Sequence, residues 1–160
     1  MLDARKRIIM VVDDERSVLD VIREFLESEG FTLLALEKGI QAIELASKIS
    51  IDLLLTDVFL PTISARVMAN RIALVQPRLK VLFMSGYSME TVTSHGLLPM
   101  GSEVLQKPIA KRDLIRQVYA SLNSGTYWSQ ISRGSQAGPI ASAVEEMPGP
   151  WQVENDGPSQ

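Results

Sequence analysis

The chain has 160 residues, 46% of them hydrophobic and 22% charged, with a formal net charge of -3, one histidine and no cysteine. That length suits one domain with a sizeable core, and the charge balance gives no reason to expect nucleic acid or an acidic membrane surface. The missing cysteines exclude disulfides, thiol redox chemistry and thiolate zinc sites, and His95 alone disfavours a histidine metal cluster or a Ser-His-Asp triad, which leaves a small soluble cytoplasmic protein.

Arg5, Lys6 and Arg7 lead into the apolar run Ile8–Val12, which stops at Asp13, short of the ~7–15 residues of a signal-peptide core. The run therefore predicts a strand covered on both faces. Ser17–Ser28 carries Val18, Val21, Ile22, Phe25 and Leu26 at helical spacing, with Gly30 as a stop. Phe31–Leu36 reads as a strand, Ile40–Lys48 as a helix, and Leu53–Leu55 as a strand running into Asp57. A helix over Ala65–Val75 is stopped by Pro77; Val81–Met84 is a strand and Met89–Ser94 a short helix. Val104–Leu105 is a brief fifth strand and Arg112–Leu122 a last amphipathic helix. Five successive β-α units require right-handed crossovers, hence a parallel sheet with helices on both faces.

Composition changes near Leu122. From Asn123 to Gln160, Arg133 stands against Glu145, Glu146, Glu154 and Asp156, among many Gly, Ser, Pro and Gln residues. Such a stretch has little apolar pattern with which to offset the entropy of ordering it. The expectation is a domain over 1–122 and a disordered tail over 123–160. Trp128 and Trp151 both fall in that tail and read as isolated aromatics; a docking anchor for a partner is the alternative.

Ligands of open α/β sheets sit beyond the carboxyl ends of the strands. There the first strand delivers Asp13 and Asp14, the third Asp57, the fourth Ser85 and the fifth Lys107. Carboxylates gathered at one place repel one another unless a cation compensates, and an oxygen-only set favours a hard ion, Mg²⁺ before Ca²⁺. Carboxylate, Mg²⁺, ammonium and hydroxyl together suit a phosphoryl group. Asp57, alone and central, is the best nucleophile, and its product would be an acyl phosphate. Each element in isolation is ordinary turn or surface chemistry; their ordered placement at four strand ends is what carries the reading.

The pattern Ile8-Ile-Met-Val-Val-Asp-Asp-Glu15, Asp57 with Leu60-Pro61, Met84-Ser-Gly-Tyr87 and Lys107-Pro108 resembles the receiver domain of two-component response regulators, over roughly residues 5–122. The resemblance implies a flavodoxin-like, doubly wound five-stranded parallel sheet of order 2-1-3-4-5. It implies Asp57 as phosphoacceptor, taking a phosphoryl group from a sensor histidine kinase or a histidine phosphotransfer protein. It also implies Mg²⁺ held by Asp14 directly, Asp13 mainly through water, Asp57 and the backbone carbonyl of Phe59. Ser85 would turn toward the phosphoryl group, Lys107 would pair with it, and Lys107-Pro108 would be cis. Such a protein is a phosphoacceptor that assists its own phosphorylation and dephosphorylation rather than an enzyme. It would signal to a downstream protein by contact, without binding nucleic acid or membrane directly, and a homodimer stays open. The family's usual contact face maps to Met89–His95 and Val104–Leu122, where His95 reads as a surface residue.

Several positions depart from the pattern. Receivers usually carry an aromatic three residues before the lysine; here that residue is Val104, which has no ring to swing. The segment after Leu60-Pro61 normally holds glycines and here reads Thr62-Ile-Ser-Ala65, so an altered loop over the site is expected. Phe59 and Tyr87 stand where this family flanks the phosphoryl group, and two rings there predict slow autodephosphorylation. Gly96–Ser102 leading to Lys107-Pro108 looks most like receivers attached to hybrid sensor kinases, which leaves open a free-standing regulator or a fragment of something longer.

Three other readings compete. A haloacid-dehalogenase-like phosphatase needs a second acid two residues after its nucleophile, where this chain has Phe59. A pseudo-receiver that binds partners without phosphorylation is kept alive by Val104 and the altered loop. A flavodoxin would need a Ser/Thr/Gly phosphate loop after the first strand, where two anions stand.

Overall fold

The computed structural model describes residues 5–133. Five strands, β1 (Ile8–Val12), β2 (Thr32–Leu36), β3 (Leu53–Asp57), β4 (Val81–Ser85) and β5 (Glu103–Gln106), form one parallel sheet of order β2-β1-β3-β4-β5. The order reverses at β1, with β2 on one side and β3 on the other, so the crevice at the carboxyl ends opens between β1 and β3. Register is in phase across the centre, with Val12 opposite Leu36 and Thr56, and Asp57 opposite Met84.

The apolar runs are continuous because both faces are covered. Met10, Val12, Leu54 and Phe83 point to the side packed by α2 (Gly39–Ala46), α3 (Ala65–Val75) and α4 (Met89–Ser94). Ile9, Val11, Leu53, Leu55, Leu82 and Met84 point to the side packed by α1 (Arg16–Glu27) and α5 (Lys111–Asn123). Helix ends follow local chemistry. The hydroxyls of Ser64 and Ser88 accept from the N–H groups of Val67 and Thr91 at the starts of α3 and α4. Beyond α1, Gly30 takes φ +94°, a left-handed turn that side-chain-bearing residues avoid.

The expected boundary at residue 122 is corrected. α5 continues to Asn123, and after a short turn a sixth helix, α6 (Trp128–Arg133), lies against α3. Trp128 is 1% exposed and sits edge-on to Phe83 with ring centroids 5.4 Å apart, so it is a core residue and not an isolated aromatic. Its N–H donates to the Leu79 carbonyl at 2.7 Å, and its indole Nε1 donates to Asn70 Oδ1 at 2.8 Å. One large ring with both polar groups paired can order a segment that composition assigns to disorder. The rest of the expected tail, including Trp151, lies outside the described residues. No helix among the described residues is long and apolar enough to cross a membrane.

Candidate functional site

At the end of β1, the Asp13 N–H reaches the Leu36 carbonyl at 3.1 Å and carries the β1–β2 ladder one residue further. That draws the Asp13 side chain fully inside, at 0% exposure. Its Oδ1 accepts from the Glu15 N–H at 2.9 Å, a turn that launches α1, and its Oδ2 accepts from Lys107 Nζ at 3.0 Å. Asp14, one residue on, faces solvent. Asp57 closes β3 at 8% exposure, held centrally because Val58 N–H still bonds the Met84 carbonyl at 2.9 Å beyond it.

Ser85 closes β4 and is fully buried; its Oγ accepts from the Tyr87 N–H at 2.9 Å, which leaves the hydroxyl proton to be donated elsewhere. The Lys107 N–H bonds the Ser85 carbonyl at 2.7 Å, and the bond to Pro108 is cis, as expected. Lys107 Nζ stands 3.0 Å from Asp13 Oδ2, 3.2 Å from Asp57 Oδ1 and 3.9 Å from Glu15 Oε1. The structure thus brings Asp13, Asp57 and Lys107 into direct contact and sets Ser85 on the strand beside Asp57. Phe59 lies just past β3 on the same loop.

Burial is the largest influence on Asp57 and raises its carboxyl from 3.8 to about 7; Lys107 pulls it down while Asp13 and Asp14 push it further up. Burial likewise works against the charge on Lys107, but Asp57 and Asp13 outweigh it, and the ammonium titrates above its ordinary range. One lysine therefore does not satisfy the acids around it. Asp13, Asp14 and Asp57 offer carboxylate oxygens that all lie within 4.8 Å of one another. Oxygen donors alone, at that spacing and short of positive charge, fit a hard divalent cation such as Mg²⁺.

Phe59 and Tyr87 meet edge-on at 6.0 Å beside this cluster. The Tyr87 hydroxyl is buried and has no hydrogen-bond partner. The loop after Pro61 owes its course to a residue the sequence did not single out. A Cβ at Gly39 would sit 2.5 Å from Ile63 Cγ2 and 3.2 Å from Met68 Sδ, so the glycine missing from the loop is matched by one at the start of α2. Glu15 was also missed as a neighbour of Lys107, because its place just before α1 reads as an ordinary helix start. Val104 packs on the α3–α4 side of the sheet, opposite Phe83 in register. His95 keeps its Nδ1 2.9 Å from the Thr91 carbonyl of its own helix.

Comparison with known proteins agrees with this geometry. A family model, the response regulator receiver domain, matches residues 9–119. The response regulator receiver protein CpdR of Brucella abortus (strain 2308) is 26% identical over 110 residues, covering 69% of this chain and 92% of that protein. The transcriptional regulatory protein CpxR of Escherichia coli (strain K12) is 29% identical over 158 residues, covering 93% of this chain and 64% of its own length. Among solved structures, the receiver domain of the hybrid histidine kinase CckA superposes with a TM-score of 0.62 at 28% identity, covering 72% of this chain and 99% of that one.

Proposed function

Since this chain belongs to the response regulator receiver family, whose members work in phosphorelay signalling, we propose that Asp57 accepts a phosphoryl group from a phosphohistidine on a sensor histidine kinase or histidine phosphotransfer protein. An Asp57 carboxylate oxygen attacks phosphorus, the bond from phosphorus to the imidazole nitrogen breaks, and the histidine leaves with that electron pair. The product is an acyl phosphate. The observation that carries the reading is the buried Asp57 carboxyl 3.2 Å from Lys107 Nζ, with Asp13 and Asp14 alongside.

Each residue has a distinct task. Lys107, bridging Asp13 and Asp57 beforehand, is placed to follow the phosphoryl oxygens as charge gathers on them. Ser85 can donate its hydroxyl to one of those oxygens, since its Oγ accepts only from Tyr87 N–H. Asp14, Asp13, Asp57 and the Phe59 carbonyl would hold Mg²⁺, which supplies the positive charge that the phosphoryl oxygens and the three acids need. Phe59 and Tyr87 cover the approach of water and lengthen the life of the acyl phosphate. The protein acts once on itself rather than turning over a substrate, in the cytoplasm beside its kinase, and passes the signal on by protein contact. The apolar Phe59, where a phosphatase needs an acid, favours this over hydrolase chemistry.

The test is intact-mass spectrometry of the chain after incubation with acetyl phosphate and Mg²⁺. The expected result is a phosphoryl adduct that disappears with EDTA and in Asp57→Asn. A folded protein that gains no adduct would overturn the proposal.

A further inference from the structure

Beside Asp57 the chain leaves β3 and reaches α3 between two fixed points. The first is Val58, whose N–H bonds the Met84 carbonyl at 2.9 Å. The second is Ser64, whose hydroxyl accepts from the Val67 N–H at 3.1 Å and whose carbonyl accepts from the Met68 N–H at 2.9 Å. Between them, residues 60–63 are held by no hydrogen bond among the described residues. Their hold is packing: Leu60 and Ile63 lie against the core on the side of α2 and α3.

Gly39, the buried first residue of α2, receives them. Its φ is not left-handed, so the missing side chain serves space and not backbone freedom. A Cβ there would meet Ile63 Cγ2 at 2.5 Å, Met68 Sδ at 3.2 Å and Leu60 Cδ1 at 3.8 Å. Met68 can yield, because a thioether chain is flexible. Ile63 yields less easily: its Cγ2 is bonded directly to Cβ, and it moves only if χ1 turns or the backbone shifts. Restoring an ordinary carbon–carbon contact would need a displacement of roughly 1 Å. The same short loop carries Phe59, whose ring meets Tyr87 and whose carbonyl belongs to the Mg²⁺ set proposed above.

We propose that Gly39 is a positioning residue for the phosphoryl site: the space it leaves seats Ile63, and the seated loop sets the place of Phe59 beside Asp13, Asp14 and Asp57. The start of α2 thereby acts on Mg²⁺ binding without touching the ion or the phosphoryl group. The inference rests on the reading of that cluster as a Mg²⁺-dependent phosphoryl site.

Two measurements on the full chain test it. Mg²⁺ binding is followed by the amide NMR shifts of Asp14 and Phe59 with no phosphoryl donor present, and adduct formation from acetyl phosphate by intact mass. In Gly39→Ala the half-saturating Mg²⁺ concentration should rise at least ~10-fold, and the adduct should form at least ~10-fold more slowly. Alanine is the better helix former, so a contact without consequence would leave both readouts unchanged. Adding Ile63→Ala to Gly39→Ala removes the methyl that the new Cβ meets, and should return both readouts to within ~3-fold of wild type. Ile63→Ala alone leaves the seat empty and should weaken Mg²⁺ binding about three-fold. Unchanged Mg²⁺ binding in Gly39→Ala overturns the proposal, as does a double variant no better than Gly39→Ala, which would mark general damage. If Gly39→Ala does not fold, Ile63→Ala decides, and unchanged Mg²⁺ binding there overturns it. A wild type that binds Mg²⁺ but gains no adduct overturns the phosphoacceptor reading, and the Mg²⁺ titrations still decide the role of Gly39. A wild type that binds no Mg²⁺ overturns both.

Discussion

The carboxyl edge of the sheet and the flank covered by α6 are held by opposite means. At the edge, charges are crowded into a buried place: Asp13 is fully buried, Asp57 nearly so, and one ammonium bridges them. On the flank, one indole and two neutral hydrogen bonds seat a short helix on an apolar floor. The first arrangement stores electrostatic cost that a ligand can relieve. The second holds a segment by the burial of Trp128, with Ile131 packed against the same core. The proposed function sits at the edge, where the fold leaves charge unsatisfied.

Phe83 and Trp128 share a contact yet belong to different regions, and truncating each sharpens the contrast most. Phe83→Ala should cost about 3–5 kcal/mol of global stability in a urea titration, as for a ring removed from a packed core. Trp128→Ala should cost less, since the sheet keeps its own ladders and α1 to α5 when α6 loosens; equal costs would place α6 inside the same cooperative unit.

The next contrast is electrostatic. The Asp57 carboxyl is raised in the folded state, so the folded protein holds that proton more tightly than the unfolded chain. Its ionisation therefore lowers stability as pH rises from about 4 to about 7, and the loss persists above that. Without Mg²⁺ at pH 8, Asp57→Asn should be more stable than wild type by ~1–4 kcal/mol. The gain should vanish below pH ~4, where both states are protonated. Adding Mg²⁺ should raise the melting temperature of wild type more than that of Asp57→Asn. A variant no more stable than wild type at pH 8 would mean that Lys107 already balances the cluster.

How legible the two regions were follows from the same difference. Asp13, Asp14, Asp57, Ser85 and Lys107 could be read from the chain because a polar group directly after an apolar strand has few places to go. The order of the strands followed from the β-α alternation and the family pattern. Trp128 could not be placed, because it stands in a stretch rich in Ser, Gly and Gln, and nothing local says that its partners lie at Asn70, Leu79 and Phe83. Gly39 was equally silent: its reason is Ile63, on another loop. Contacts between distant segments leave no spacing in the sequence to count.

Two smaller effects follow. Phe59→Asn combined with Tyr87→Glu should speed decay of the acyl phosphate several-fold, about 1 kcal/mol of barrier, timed by loss of the adduct in intact mass. An unchanged rate would make the edge-on rings packing alone. At the opposite end of the sheet, Asp52 accepts from Arg5 and from the Ile8 N–H at 2.7 Å. Burial works against its charge, yet these bonds win and hold the carboxyl below its ordinary range. Its contribution is present above pH ~4 and lost as pH falls through the lowered value. Asp52→Asn should cost about 1 kcal/mol at pH 7 and flatten the acid limb of the stability profile.

The most direct test of the phosphoryl site is to trap the acyl phosphate where it forms. Borohydride reduction of the phosphorylated chain, followed by peptide mass spectrometry, converts the modified aspartate to homoserine. Homoserine at position 57 alone is the result predicted here. Homoserine at position 13 or 14, with 57 unmodified, would contradict it.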